Sequence, residues 1–135
     1  MTASGVQESR LQDLKKWNLG LALLHAVQAV AVFALATDFS IPLSAAFPDG
    51  PPGSALPEAD EVVTVSIGLA VAVFLLLAAI DHGLTATVLR GRYESDLEAG
   101  INRFRWIEYS VSATIMVLLI AMYAGITQVT ALIAI

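Results

Sequence analysis

Four ionisable residues lie within or at the edge of apolar stretches of this chain: His25, Asp81, His82 and Glu108. A charge near the centre of a bilayer costs about 2.5–3.5 kcal/mol even on the mildest scale, so such residues usually face a protein interior and act there. Imidazole and carboxyl groups can carry protons or bind a metal ion. The sequence therefore predicts a polar site inside a membrane domain.

The elements that position these residues are long apolar segments. Of the 135 residues, 57% are apolar and 14% are charged, against roughly 45–50% and about 25% in soluble domains. Apolar stretches at residues 19–36, 62–80 and 107–124 each approach the ~20 residues that a transmembrane helix needs. Because backbone groups in lipid must be paired within the segment, helix is the expected structure of all three.

The predicted fold is all-α and transmembrane, with a small β-hairpin in the outer loop. Residues 129–135 would reach only about 10 Å as a helix, so we expect them to begin a fourth helix of a longer protein. The predicted elements are helix one at about 17–36, an outer loop at 37–61, helix two at about 62–89, an inner loop at 90–103, helix three at about 104–124 and the start of helix four at about 129–135.

Charge predicts the orientation. The loop at 37–61 has no basic residue and five acidic ones, whereas all basic residues precede the first apolar stretch or lie between the second and third. Basic residues favour the cytoplasmic side, so the N-terminus is expected in the cytoplasm of a multi-pass chain in the cell membrane. A net charge of −5 argues against nucleic-acid binding. The chain has no cysteine.

Spacing predicts a pocket on the cytoplasmic half of the helices. His25 follows Lys16 by nine residues and His82 precedes Arg90 by eight, which gives both histidines a depth of some 12–14 Å at about 1.5 Å per residue. By the same measure Glu108 is shallower by roughly one and a half turns.

Two polar residues extend this pocket along its helices. Gln28 follows His25 by three residues and Ser112 follows Glu108 by four, so each pair can share a helix face. Asp81 points ~100° away from its neighbour His82, so the two are not expected to aim at the same pocket centre. No role is assigned to Asp81.

Small residues recur at helical spacing in the first two helices. Such stripes allow close helix packing, which is the simplest interpretation of them. They are Ala22, Ala26 and Ala29 in helix one, and Gly68 with Ala72 and Ala79 with Gly83 in helix two.

The sequence also resembles the heliorhodopsin family. The stretch from Phe104 to Ser110, with its continuation through Met116 to Ile126, resembles the third helix of that family. Residues 24–28, the turn at 50–53 and His82 on helix two are similar to the family at similar spacing. The cytoplasmic N-terminus inferred from charge agrees with the family's topology.

The resemblance implies the first half of a seven-helix, rhodopsin-like bundle that binds retinal and senses light. It also implies a homodimer that signals to an unknown partner and does not pump ions. Glu108 would be the counterion of the protonated retinal Schiff base. Retinal would be bound to a lysine in a C-terminal half, since Lys15 and Lys16 both precede helix one. Residues expected near the nitrogen are His25, Gln28 and His82, and those expected to face the polyene are Tyr109, Ser112 and Met116.

Two other classes of function remain open at this point. His25, His82 and Glu108 form a conceivable ligand set for Zn²⁺ or Fe²⁺, although no local spacing motif joins them. The chain could equally be a small structural membrane subunit whose polar residues are incidental. An enzyme is not expected, because no nucleophile and base pair is recognisable.

Overall fold

Three long helices dominate the structure. A computed structural model describes residues 3–55 and 57–135, with the long helices α1 (Ala3–Leu35), α2 (Ile67–Ala86) and α4 (Arg103–Tyr123). Among the described residues, these three helices contain segments long and apolar enough to cross a membrane, namely Glu8–Leu35, Ile67–Ala86 and Arg103–Tyr123. The prediction of three helices that are long and apolar enough to cross a membrane is confirmed.

Helix α1 begins at Ala3, well before the predicted start of the membrane helix near residue 17. The segment from Glu8 to Lys16 contains neither proline nor glycine, so nothing in it breaks the helix before the apolar residues. Leu11, Leu14 and Lys15 line a small space shared with Arg90 and Tyr93. The N-terminal part of α1 therefore packs beside the segment that follows α2.

The connection between α1 and α2 contains strands β1 (Ser40–Ala45) and β2 (Asp60–Ser66). They pair antiparallel from Ser40 opposite Ser66 to Ala45 opposite Asp60, with an irregularity between Leu43 and Ser44. Residues 62–66, predicted as the start of helix two, are therefore strand. Three of them are valines, and β-branched residues favour a pleated strand that has a partner.

The predicted inner loop, 90–103, contains a further helix, α3 (Arg90–Glu98). Arg90 Nε donates to Glu94 Oε1 at 2.6 Å across one helical turn, a spacing at which opposite charges stabilise a helix. Gly100 then adopts a φ of +73°, a conformation that costs glycine little. Helix α2 ends at Ala86, before the predicted residue 89.

Helix α4 begins after Asn102, whose side-chain oxygen accepts a hydrogen bond from the Arg105 backbone N–H at 3.1 Å. A short helix, α5 (Val129–Ala134), follows α4, and the Ser44 N–H donates to the Thr127 carbonyl at 3.0 Å. The main buried apolar cluster lies where the sheet meets these helices, and its members are Leu43, Ile67, Leu119, Ala121, Met122 and Leu132.

Candidate functional site

A cavity of about 800 Å³ lies between α1, α2 and α4. Six of the seven residues predicted for the site line it, together with Asp81. Those six are His25, His82, Glu108, Tyr109, Ser112 and Met116. The structure thus brings together residues that are far apart in the sequence.

The two histidines stack on each other inside this cavity. Their ring centroids are 5.7 Å apart and their planes differ by 11°, so the rings of His25 on α1 and His82 on α2 are stacked and nearly parallel. The common depth predicted from Lys16 and Arg90 agrees with this contact. Two positive charges at this separation would repel by about 3 kcal/mol at an effective dielectric constant of about 20, so the stack disfavours two charged rings.

Each histidine has an amide partner. The Nδ1 atom of His25 is 3.1 Å from Gln28 Oε1, one turn along α1. The Nδ1 atom of His82 is 3.0 Å from Asn18 Oδ1 on the neighbouring helix. Asn18 also lines the cavity, and it is a site residue that the sequence did not indicate.

Gln28, also predicted for the site, is not among the residues that line the cavity. Its side chain is exposed and meets the site through His25. A step of three residues along a helix rotates the side chain by about 300°. This rotation places Gln28 beside His25 instead of over the cavity.

Asp81 and His82 both line the cavity. The cavity is wide enough that two side chains about 100° apart on α2 both border it. Glu108 lines the same space from α4. The site therefore contains two carboxyl groups beside the histidine pair.

Polarity changes along the α4 side of the cavity. Arg105 and Glu108 come first, followed by Tyr109 and Ser112, and then by Met116. Ser112 is buried at 5% exposure. Phe74, Leu75 and Ala78 of α2 add an apolar wall. One end of the cavity is thus charged and the other is apolar.

Arg105 contacts Tyr109 in two ways. Its Nη2 atom donates to the Tyr109 hydroxyl at 3.3 Å, and its guanidinium carbon lies 4.9 Å from the centre of the Tyr109 ring. A cation over an aromatic face at this distance is attractive. Arg105 thus brings a guanidinium group to the cavity, a role that its charge and position in the sequence did not indicate.

An aromatic pair lies at the end of the cavity nearest α3. The rings of Tyr93 and Phe104 meet edge to face, with centroids 5.9 Å apart and planes at 80°. Both residues line the cavity. Tyr93 was missed because it belongs to a segment predicted as loop, and no local pattern indicates which helix it faces.

The geometry does not favour the metal-site alternative. Within residues 3–55 and 57–135, no three His, Cys, Asp or Glu side chains form a group that could hold a metal ion. His25 and His82 are arranged ring over ring, whereas a shared metal needs a ligand nitrogen from each ring directed at one point.

Comparison with known proteins gives one clear family. A search of curated proteins finds no significant match. The family comparison matches residues 14–135 to Heliorhodopsin, which covers α2, α4, most of α1, the sheet and the cavity. The chain therefore belongs to the heliorhodopsin family.

Proposed function

We propose that the protein is a light-sensing, retinal-binding membrane photoreceptor that signals without pumping ions or catalysing a reaction. The observation that carries this proposal is the cavity, which is charged at one end and apolar at the other, in a chain of the heliorhodopsin family. Bound retinal supplies absorption of visible light and a light-driven change of shape. The chain supplies the binding surface and the charges around it.

The cavity residues suit such a group. Retinal is a long apolar polyene whose bound end carries a positive charge when it is linked to a lysine and protonated. Met116, Phe74 and Leu75 offer apolar contact at one end of the cavity, and Glu108 offers a negative charge at the other. A buried cation needs such a partner, because an isolated charge in an apolar interior is costly.

Glu108 is accordingly the residue that we assign as the counterion. His25 and His82 border the same end and can accept or donate a proton. Tyr109, Ser112 and Met116 follow along α4 and would contact the polyene. Lys15 and Lys16, the two lysines of the sequence, lie before the apolar part of α1, so the attachment lysine is assigned to no residue of this sequence.

Topology and assembly form part of the same proposal. We place the N-terminus in the cytoplasm of a multi-pass protein of the cell membrane, because the basic residues flank the opposite side from the sheet. The seven-helix bundle, the homodimer and the signalling partner are inferred from family membership.

The test is a spectroscopic one on the full-length natural protein. Purified in detergent with retinal added, it should acquire a visible absorption band that survives washing and is lost on reaction with hydroxylamine. Light should produce no sustained pH change in a suspension of vesicles that contain it. A protein that binds no retinal would overturn the proposal, and elemental analysis of that protein would then separate an ion site from a structural subunit. A sustained light-driven pH change would overturn the signalling assignment alone.

A further inference from the structure

Both stacked histidines make the same kind of contact with a side-chain amide, and the proposed function does not depend on these contacts. Each ring presents Nδ1 to the oxygen of a side-chain amide, at 3.1 Å from Gln28 for His25 and at 3.0 Å from Asn18 for His82. The two amides come from different places. Gln28 lies one turn along the same helix, whereas Asn18 reaches from α1 to a histidine 64 residues away in the sequence.

The chemistry of these contacts determines which ring nitrogen carries hydrogen. An amide oxygen only accepts hydrogen bonds, so a ring nitrogen that faces it must donate. In a neutral imidazole one nitrogen carries the hydrogen and the other keeps a lone pair. A hydrogen on Nδ1 therefore leaves Nε2 of the same ring as the atom that can accept a proton.

We propose that Asn18 and Gln28 are positioning residues that hold His82 and His25 in the Nδ1–H tautomer, which leaves the Nε2 atoms as the basic atoms of the pair. A free imidazole side chain prefers the opposite tautomer, with its hydrogen on Nε2. The amides thus set a hydrogen position that the rings alone would not adopt. A hydrogen bond to one ring nitrogen is a general means of fixing which of the two is protonated.

The charged residues around the two rings make the choice of tautomer important. Asp81, Glu108 and Arg105 line the same cavity as both rings, and a carboxylate beside a ring nitrogen would compete to orient it. The contact of Asn18 with His82 joins α1 to α2 beside the ring stack, so it helps to fix the position of His82 as well as its tautomer. The inference rests on contacts within this chain and does not require retinal.

The experiment uses ¹⁵N-histidine labelling of the full-length protein without retinal and solid-state NMR, which separates protonated from unprotonated ring nitrogens. The signals are assigned by comparison with His25→Gln and His82→Gln variants. In the neutral rings we expect the protonated-type signal at Nδ1 and the unprotonated-type signal at Nε2 for both residues. Because this measurement needs no pigment, its outcome is independent of the test of the proposed function.

Two matched variants test which amide acts on which ring. Asn18→Leu should move the hydrogen of His82 to Nε2 and leave His25 unchanged. Gln28→Leu should move the hydrogen of His25 to Nε2 and leave His82 unchanged. Asn18→Asp keeps an acceptor oxygen and should keep Nδ1–H at His82. In the unaltered protein, a neutral ring of either residue with hydrogen on Nε2 and none on Nδ1 would overturn the proposal, even if a variant failed to fold. Retention of Nδ1–H at His82 in Asn18→Leu would overturn it as well.

Discussion

Gly68 lies so close to Ala36 that a Cβ atom added at Gly68 would be 2.5 Å from the Ala36 Cβ atom. Real Cβ atoms essentially never approach so closely, so this position on α2 requires glycine. Ala29, Ala72 and Ala79 are also buried, at 6%, 6% and 8% exposure. Small residues let helix backbones approach, and here they bring α1 and α2, which hold the two histidines, into close contact.

Replacing Gly68 should therefore weaken the packing of α1 against α2. Gly68→Ala must displace the segment at Ala36, and we expect a loss of about 1–3 kcal/mol in the free energy of unfolding, as for other overpacked sites. Unfolding of the full-length protein by SDS in mixed micelles measures this loss.

Gly83 supplies the matched control on the same helix. A Cβ atom added there meets nothing within 4 Å, so Gly83 does not belong to the close contact that its spacing from Ala79 predicts. Gly83→Ala should be neutral or should stabilise α2 by up to about 1 kcal/mol, since alanine favours helix. Equal destabilisation by the two changes would contradict this account of the contact.

The sequence indicates the long helices well because mostly apolar stretches of nearly twenty residues have few alternatives to a transmembrane helix. It indicates the short elements poorly. Residues 62–66 are apolar enough to extend helix two, and only their pairing with β1 makes them a strand. The polar sequence of α3 is typical of a loop, yet the Arg90 and Glu94 side chains pair across one turn and both are only about a quarter exposed (27% and 24%).

The residues of the site also differ in how well the sequence indicates them. His25, His82 and Glu108 stand out because each is costly in an apolar segment. Asn18 does not, because an asparagine next to Trp17 at the start of a span is ordinary in composition and becomes informative only through its contact with His82. The sequence does not indicate the ring contact between Tyr93 and Phe104 either, since this contact depends on how α3 lies against α4.

Orientation in the membrane can be tested with single cysteines, because the sequence contains none. Ser54, in the connection between the strands, and Ser95, on α3, are both exposed. In intact cells a membrane-impermeant maleimide should label Ser54→Cys and should leave Ser95→Cys unlabelled until the cells are permeabilised. Basic residues near α3 and their absence near the sheet are the reason for this expectation. The reverse pattern of labelling would invert the proposed topology.

The contact between Tyr93 and Phe104 should restrict access to the cavity. Edge-to-face rings stabilise each other by about 0.5–1.5 kcal/mol beyond their burial, and both rings line one end of the cavity. Phe104→Ala should therefore speed the bleaching of the pigment by hydroxylamine in the dark. Phe33→Ala is the control, since Phe33 is 65% exposed on α1 and is not among the residues that line the cavity. Identical bleaching rates for the two variants would show that this end is not the point of entry.

Glu108→Gln should change the colour of the pigment more than any other single removal of a carboxylate in the cavity. A negative charge near the cationic end of the polyene holds the positive charge there in the ground state, so its loss lowers the excitation energy or lets the nitrogen lose its proton. The visible band of the full-length protein should move to longer wavelength, or a near-ultraviolet band should replace it at neutral pH. Asp81→Asn removes the other carboxyl group that lines the cavity, and we expect a smaller shift from it. Glu94→Gln removes a carboxylate that lies outside the cavity, in the ion pair of α3, and should leave the band in place. If Asp81→Asn moves the band and Glu108→Gln does not, the counterion is Asp81, and the position of Glu108 on α4 would have to serve another purpose.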